Sequence, residues 1–349
     1  MLSSTFSSNP ARRSPPQKWG RVWIGAIGIA ISLIGISEIF WRSHGHKPSV
    51  VLDKHLWAYH RQSVSNSPDQ VVLIGTSRMR FGFSTETFRH RFPKHRLAML
   101  AVNGRYPMAT LRDLSDNPRF KGTVICDVAM SYFDDARFND QQELVDHCHA
   151  TRKHQLFEPV VRAWLQDRFV VLNPNVSVQH IVKEILRYRR LPEPRFVTTR
   201  FDGSGHADYA WRRIQEQRRE EERTKSSFPR KANSFSWKNV AAVRKMVSRI
   251  NENGGKVVFV RFPSTGEHWS SWDRRFPKRE FWDRLKEMTG ATTVHFIDVP
   301  KMTELECPDG VHLDYRDSPR FTSTLIDEVV ARGPLQATND IQHEGTVAE

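Results

Sequence analysis

Apolar residues fall along this chain in short unbroken runs rather than in alternation. The runs are VVLIG (71–75), LAMLAV (97–102), TVICDV (123–128), KVVFVRF (256–262) and VHFIDV (294–299). Runs of this kind mark strands covered on both faces, as in a parallel sheet. Between them, helical patterns occupy 84–91, 107–115, 235–253, 278–289 and 317–332. The alternation of strand and helix predicts a three-layer α/β fold around a parallel sheet. NENGG at 251–255 reads as a helix stop that leads directly into a strand.

The stretch from about 134 to 232 breaks that rhythm. It is mostly helical in pattern, and residues 151–232 hold 18 Lys+Arg against 10 Asp+Glu. It predicts an insertion that forms a cap or arm. Within it, WRRIQEQRREEERTK (211–225) reads as a solvated helix face, with an anion-binding surface as the alternative. The final residues, 335–349, are polar and predict a disordered tail.

Near the start, residues 22–41 read VWIGAIGIAISLIGISEIFW, with Glu38 the only charge. About 20 apolar residues at 1.5 Å each match a bilayer core about 30 Å thick. Arg12, Arg13, Lys18 and Arg21 precede the run with no acid among them, and Arg42 and Lys47 follow it. The positive-inside bias predicts a cytoplasmic, disordered tail over 1–21 and a single-pass anchor in the cell membrane over 22–41. The main domain, 42–334, is then extracytoplasmic. A cleaved signal peptide is the rival reading, but the run is long for one and no small-x-small site follows it cleanly. A buried soluble helix should show a polar face.

Charge narrows the partners. The 349 residues carry 53 Lys+Arg against 39 Asp+Glu, a formal net charge of +14. That suits nucleic acid, phospholipid headgroups or an acidic polysaccharide. No nucleic-acid reader motif occurs, and the topology places most basic residues outside the cytoplasm, so nucleic acid is not expected. The three cysteines, Cys126, Cys148 and Cys307, are an odd number and leave at least one outside any intramolecular pair. No CxxC occurs, so neither a zinc ribbon nor a thioredoxin-type site is indicated.

The candidate chemistry sits where the first strand ends. In an open parallel sheet, ligands lie beyond the carboxyl ends of the strands. Ser77 stands there, in GTSR, ahead of a helix whose N–H groups point outward. Its hydroxyl can attack a carbonyl, and its own N–H can help hold the oxyanion. A neutral serine needs a base. CPDGVHLD (307–314) offers one after the last strand: Asp309 can orient the imidazole of His312 from the same turn. His268 is a weaker alternative base.

GTSR (75–78), NGRYP (103–107) and DGVHLD (309–314) resemble the first, second and last sequence blocks of the SGNH/GDSL hydrolases. The resemblance covers about 71–128 and 235–332. It implies a flavodoxin-like α/β/α fold, Ser77 as nucleophile, His312 as base and Asp309 as its orienter, with no cofactor and no metal. The N–H groups of Ser77 and Gly104 would hold the oxyanion. Asn103 precedes that glycine, which allows close backbone approach. Two departures stand out. The family's aspartate before the serine is Thr76, which resembles a divergent, membrane-anchored branch that acylates exopolysaccharide or cell wall. The third block, Gly-x-Asn-Asp, has no counterpart in CDVAMSYFDD (126–135), which offers Asp127 and Ser131 but no asparagine. A lost oxyanion donor costs roughly 2.7–4 kcal/mol of transition-state stabilisation.

Arg78 and Arg80 read either as surface charge or as contacts to an anionic acceptor such as a uronate or phosphate. Trp269, among basic residues beyond the fourth strand, is a candidate platform for sugar rings; core packing accounts for Phe281 and Trp282 as well. DHCHATRKH (146–154) contains possible zinc ligands, but His147 and His149 point apart on a helix and no second cluster joins them, so an exposed polar turn is the simpler reading. The residues therefore suggest a serine esterase or O-acyltransferase acting on an acylated glycan or envelope polymer, with a membrane-bound acyl-transfer partner as a further candidate. The alternative is a catalytically silent binding or assembly protein on the same fold.

Overall fold

The computed structural model describes residues 19–209 and 235–335. Among the described residues seven strands are formed: β1 (Gln70–Ile74), β2 (Arg96–Met99), β3 (Thr123–Asp127), β4 (Val197–Thr199), β5 (Gly205–Ala207), β6 (Lys256–Arg261) and β7 (Thr292–His295). Five of them make one sheet in the order β2-β1-β3-β6-β7, and every pairing is parallel. Counted within that sheet, the order is second, first, third, fourth, fifth, the flavodoxin-like winding. β4 and β5 form a separate antiparallel ribbon.

The unbroken apolar runs are explained by two cores, one on each face. Val72 and Ile74 of β1, Val124 and Cys126 of β3, and Val257 and Phe259 of β6 face one core. Their neighbours Val71, Leu73, Ile125, Val258 and Val260 face the other. The period of two is present, but both faces are covered, so no polar residue marks it. Helices Lys54–Gln62, Met108–Ser115 and Trp237–Glu252 contribute to the first core. Helices Thr85–Arg91 and Ser318–Ala331 contribute to the second.

Three local differences from the sequence reading have plain causes. Helix Lys54–Gln62 forms ahead of β1, outside the predicted helical patterns; Asp53 caps it by accepting from the N–H groups of His55 and Leu56, at 2.9 Å each. The run VHFIDV is a strand only as far as His295; residues 296–298 curl into a 3₁₀ turn, capped when His295 Nδ1 accepts from the Ile297 N–H. Leu335, assigned to the polar tail, is buried in the second core.

The N-terminal helix runs Trp19–Ser43, and among the described residues it is the one helix long and apolar enough to cross a membrane. Its last turns pack on the insertion, where Trp41 joins Val170 and Val176. The insertion leaves the sheet after β3 and is largely helical, with helices Gln142–Ala150, Phe157–Gln166 and Val178–Tyr188 followed by the β4–β5 ribbon. The charged run 211–225, the tail before residue 19 and the residues after 335 lie outside the described residues.

Phe321 is fully buried in the second core, with its ring centroid 4.6 Å from that of Phe262. Phe321→Ala is expected to destabilise the domain by about 3–5 kcal/mol in denaturant unfolding; a loss under about 1 kcal/mol would show that the helix is not seated as described.

Candidate active site

Ser77 opens helix Ser77–Gly82 immediately beyond β1, at the point where the strand order turns from β2 on one side to β3 on the other. The turn that delivers it needs Gly75. A Cβ there would lie 2.7 Å from Asp127 Cβ and 2.9 Å from Met79 Cβ. The adjacent strands thus approach too closely for any side chain at this position.

His312 reaches Ser77 from the far end of the chain. Its Nε2 lies 2.7 Å from Ser77 Oγ, and its Nδ1 lies 2.7 Å from Asp309 Oδ2. A proton on Nδ1, donated to Asp309, leaves Nε2 as the acceptor for the serine hydroxyl. Asp309 Oδ1 accepts from the backbone N–H groups of Val311 and His312, at 2.9 and 2.8 Å. Burial would raise the Asp309 carboxyl, but the His312 contacts and these N–H groups outweigh it and hold the group well below the usual carboxylate range. The stability this adds is complete above the ordinary aspartate value of about 3.9 and fades as pH falls below it.

The loop carrying this pair is stapled to the segment after β6. Thr265 Oγ1 donates to Cys307 O at 3.0 Å, and the Thr265 N–H donates to Gly310 O at 3.1 Å. Gly310 has φ +82, and a Cβ there would stand 3.0 Å from His268 Cβ. The glycine of DGVH is therefore a geometric requirement of the turn.

Asn103 and Gly104 lie on the same edge, since the Val102 N–H donates to Gly75 O at 3.0 Å. Both are exposed; Gly104 has φ +68, and its carbonyl accepts from Arg137. His268, the alternative base, has Nε2 occupied by the Trp272 indole N–H at 3.2 Å. Burial, followed by the nearby arginines, lowers it to about 4.

Arg78 and Arg80 require correction: neither is a surface charge or is presented to a substrate. Arg78 is 6% exposed, with Nη2 3.0 Å from Asp127 Oδ1 and 2.7 Å from the Tyr132 hydroxyl. Arg80 is 4% exposed and donates to Gly203 O and Thr199 Oγ1, at 2.9 and 3.0 Å. They belong to helix Ser77–Gly82, in which every residue after Ser77 is buried, so their side chains turn inward to fixed acceptors. Trp269 is also not a free platform. It is half-buried against Phe296, with ring centroids 4.8 Å apart, and packs on the second core. Asp127 and Ser131, the polar residues at the third-block position, are both buried.

Three further participants lie outside the motifs. The Tyr209 hydroxyl donates to Asp309 Oδ2 at 3.0 Å, from the end of the described insertion and outside any motif. Tyr132, in a short 3₁₀ turn, donates to Asp127 Oδ2 at 2.9 Å and lies 2.8 Å from Thr76 Oγ1. Arg261 ends β6, fully enclosed, with Nη1 unpaired. Burial, and then the charge of Arg78, pull it down to about 9. A cation closing an otherwise apolar central strand was the visible cue for this last residue.

No protein-family model matches the chain, and no curated protein matches it. Among solved structures, the crystal structure of TesA aligns over 74% of this chain and 97% of its own, at 10% identity and a TM-score of 0.33. So low a score carries no weight for fold or function, which rest on the strand order and side-chain geometry above.

Breaking a buried ion pair from one side leaves a charge uncompensated. Arg78→Ala is expected to cost about 3–5 kcal/mol in denaturant unfolding. A near-neutral result would return Arg78 to the surface and to the substrate.

Proposed function

We propose that this chain is a serine esterase or O-acyltransferase of SGNH type, held at a membrane by its N-terminal helix. The observation that carries the reading is the continuous hydrogen-bond chain from Ser77 Oγ through His312 to Asp309. In this order the groups can perform acyl transfer. His312 Nε2 takes the hydroxyl proton as Ser77 Oγ bonds to the acyl carbon. Asp309 stabilises the imidazolium that forms. The N–H groups of Ser77 and Gly104 are the proposed donors to the oxyanion. Collapse of the tetrahedral intermediate breaks the ester C–O bond, and His312 returns the proton to the departing alcohol. The acyl-serine then passes to water or to a sugar hydroxyl by the same steps in reverse. An acylated surface glycan or envelope polymer is the substrate class that suits an extracytoplasmic, anchored enzyme.

One observation favours the silent alternative. At the third-block position Asp127 is enclosed and paired with Arg78 as a carboxylate, which accepts from Thr76 and Tyr132 and cannot donate to the oxyanion. That loss slows a hydrolase by about 10²–10³-fold without removing its nucleophile.

A fluorophosphonate probe separates the readings. The full chain is expected to be labelled, and both Ser77→Ala and His312→Ala to lose labelling while remaining folded. Absence of labelling in the unaltered, folded protein would favour the binding or assembly role.

A further inference from the structure

Away from the site, the insertion carries an apolar surface that the described residues leave uncovered. In helix Val178–Tyr188, Val178, Val182 and Ile185 recur at helical spacing, yet none of the helix's residues is buried. Val178 is 76% exposed and Leu186 78%. A helix packed on a globular domain turns such a stripe inward. Phe169 and Leu172, just upstream, are also exposed.

Their position is set by the N-terminal helix. Glu38 accepts from the N–H groups of Val170 and Val171, at 3.0 Å each. Glu38 lies about 5 Å along the helix from Trp41, where the apolar run ends. Residues 169–172 therefore stand level with the run's last turn. Over its last two turns Ile36 and Ile39 are 65% and 71% exposed. Lipid that covers these isoleucines meets Phe169 and Leu172 beside them. Ile181 packs on the Trp41–Val170–Val176 cluster and ties helix Val178–Tyr188 to the same place. The charges fit as well: Arg168, Lys183, Arg187 and Arg189 are exposed alongside the apolar stripe, the pattern of a helix lying among phospholipid headgroups.

We propose that the insertion docks in the interface of the bilayer that the N-terminal helix spans, with helix Val178–Tyr188 and the 169–172 turn in contact with lipid. The proposal rests on the anchor reading. Docking would also hold a cavity of about 740 Å³ against the headgroups. That cavity is lined by Asn173, Pro174 and Arg190 of the insertion and reaches Asn103 at the sheet's carboxyl edge.

The test uses the full chain with single environment-sensitive dyes on Ile31→Cys, Leu186→Cys or Lys245→Cys; the native cysteines are all buried. Each variant is reconstituted in phosphatidylcholine–phosphatidylglycerol vesicles with and without bromine on the acyl chains. Bromolipid is expected to quench the dyes at 31 and 186 and leave that at 245 bright. Quenching at 31 but not at 186 overturns docking while keeping the anchor. No quenching at 31 overturns the anchor, and docking with it. A blue shift at 186 without quenching identifies a protein contact, such as a second copy, and overturns the lipid assignment. Equal quenching at 186 and 245 shows adsorption without a preferred face and overturns it too.

Discussion

A fully buried carboxylate, Asp127, governs how the chain ends its central strands. Leaving it unpaired would cost several kcal/mol, so the surrounding backbone and side chains are organised to satisfy it. Thr76 Oγ1 and Tyr132 donate to Oδ2, and Arg78 pairs with Oδ1. Thr76 and Arg78 flank Ser77, so satisfying Asp127 also fixes the residues on either side of the candidate nucleophile. Gly75 completes the constraint, because only a residue without Cβ lets β1 and β3 close on one another at this point. Serine presentation thus follows from an electrostatic demand one strand away.

The second half of the site arrives from 235 residues further along the chain, and the sheet makes the meeting possible. β6 lies next to β3, and the segment after it receives the 307–310 turn through Thr265. The insertion then closes the arrangement. Its ribbon lies against the serine helix through Arg80 and Gly203, and Tyr209 donates to Asp309. A segment that interrupts the α/β rhythm therefore packs at one end against the membrane-length helix and at the other holds the Asp309 carboxylate.

Much of this was legible in the residues. Parallel strands covered on both faces left unbroken apolar runs, and each of the five runs supplies a strand of one sheet, in part or whole. Ser77, Asp309 and His312 were recognisable because each follows a strand and carries the chemistry its neighbour needs. Arg78 and Arg80 were misread because nothing in GTSRMR distinguishes a cation turned outward from one turned inward; that depends on Asp127 and Thr199, far away in sequence. Tyr209 was invisible for the same reason: its partner is distant in the chain and its surroundings form no repeating pattern. The end of VHFIDV was overread as strand because Phe296 is buried in a 3₁₀ turn as fully as it would be in a sheet.

The imidazole proton between His312 Nδ1 and Asp309 offers the most direct measurement. In protein labelled with ¹⁵N-histidine, proton NMR should show one strongly low-field N–H resonance. It should vanish in Asp309→Asn and shift when Ser77 is phosphonylated. A folded, unaltered protein with no such resonance, or one indifferent to both changes, would contradict the coupling of serine, imidazole and carboxylate.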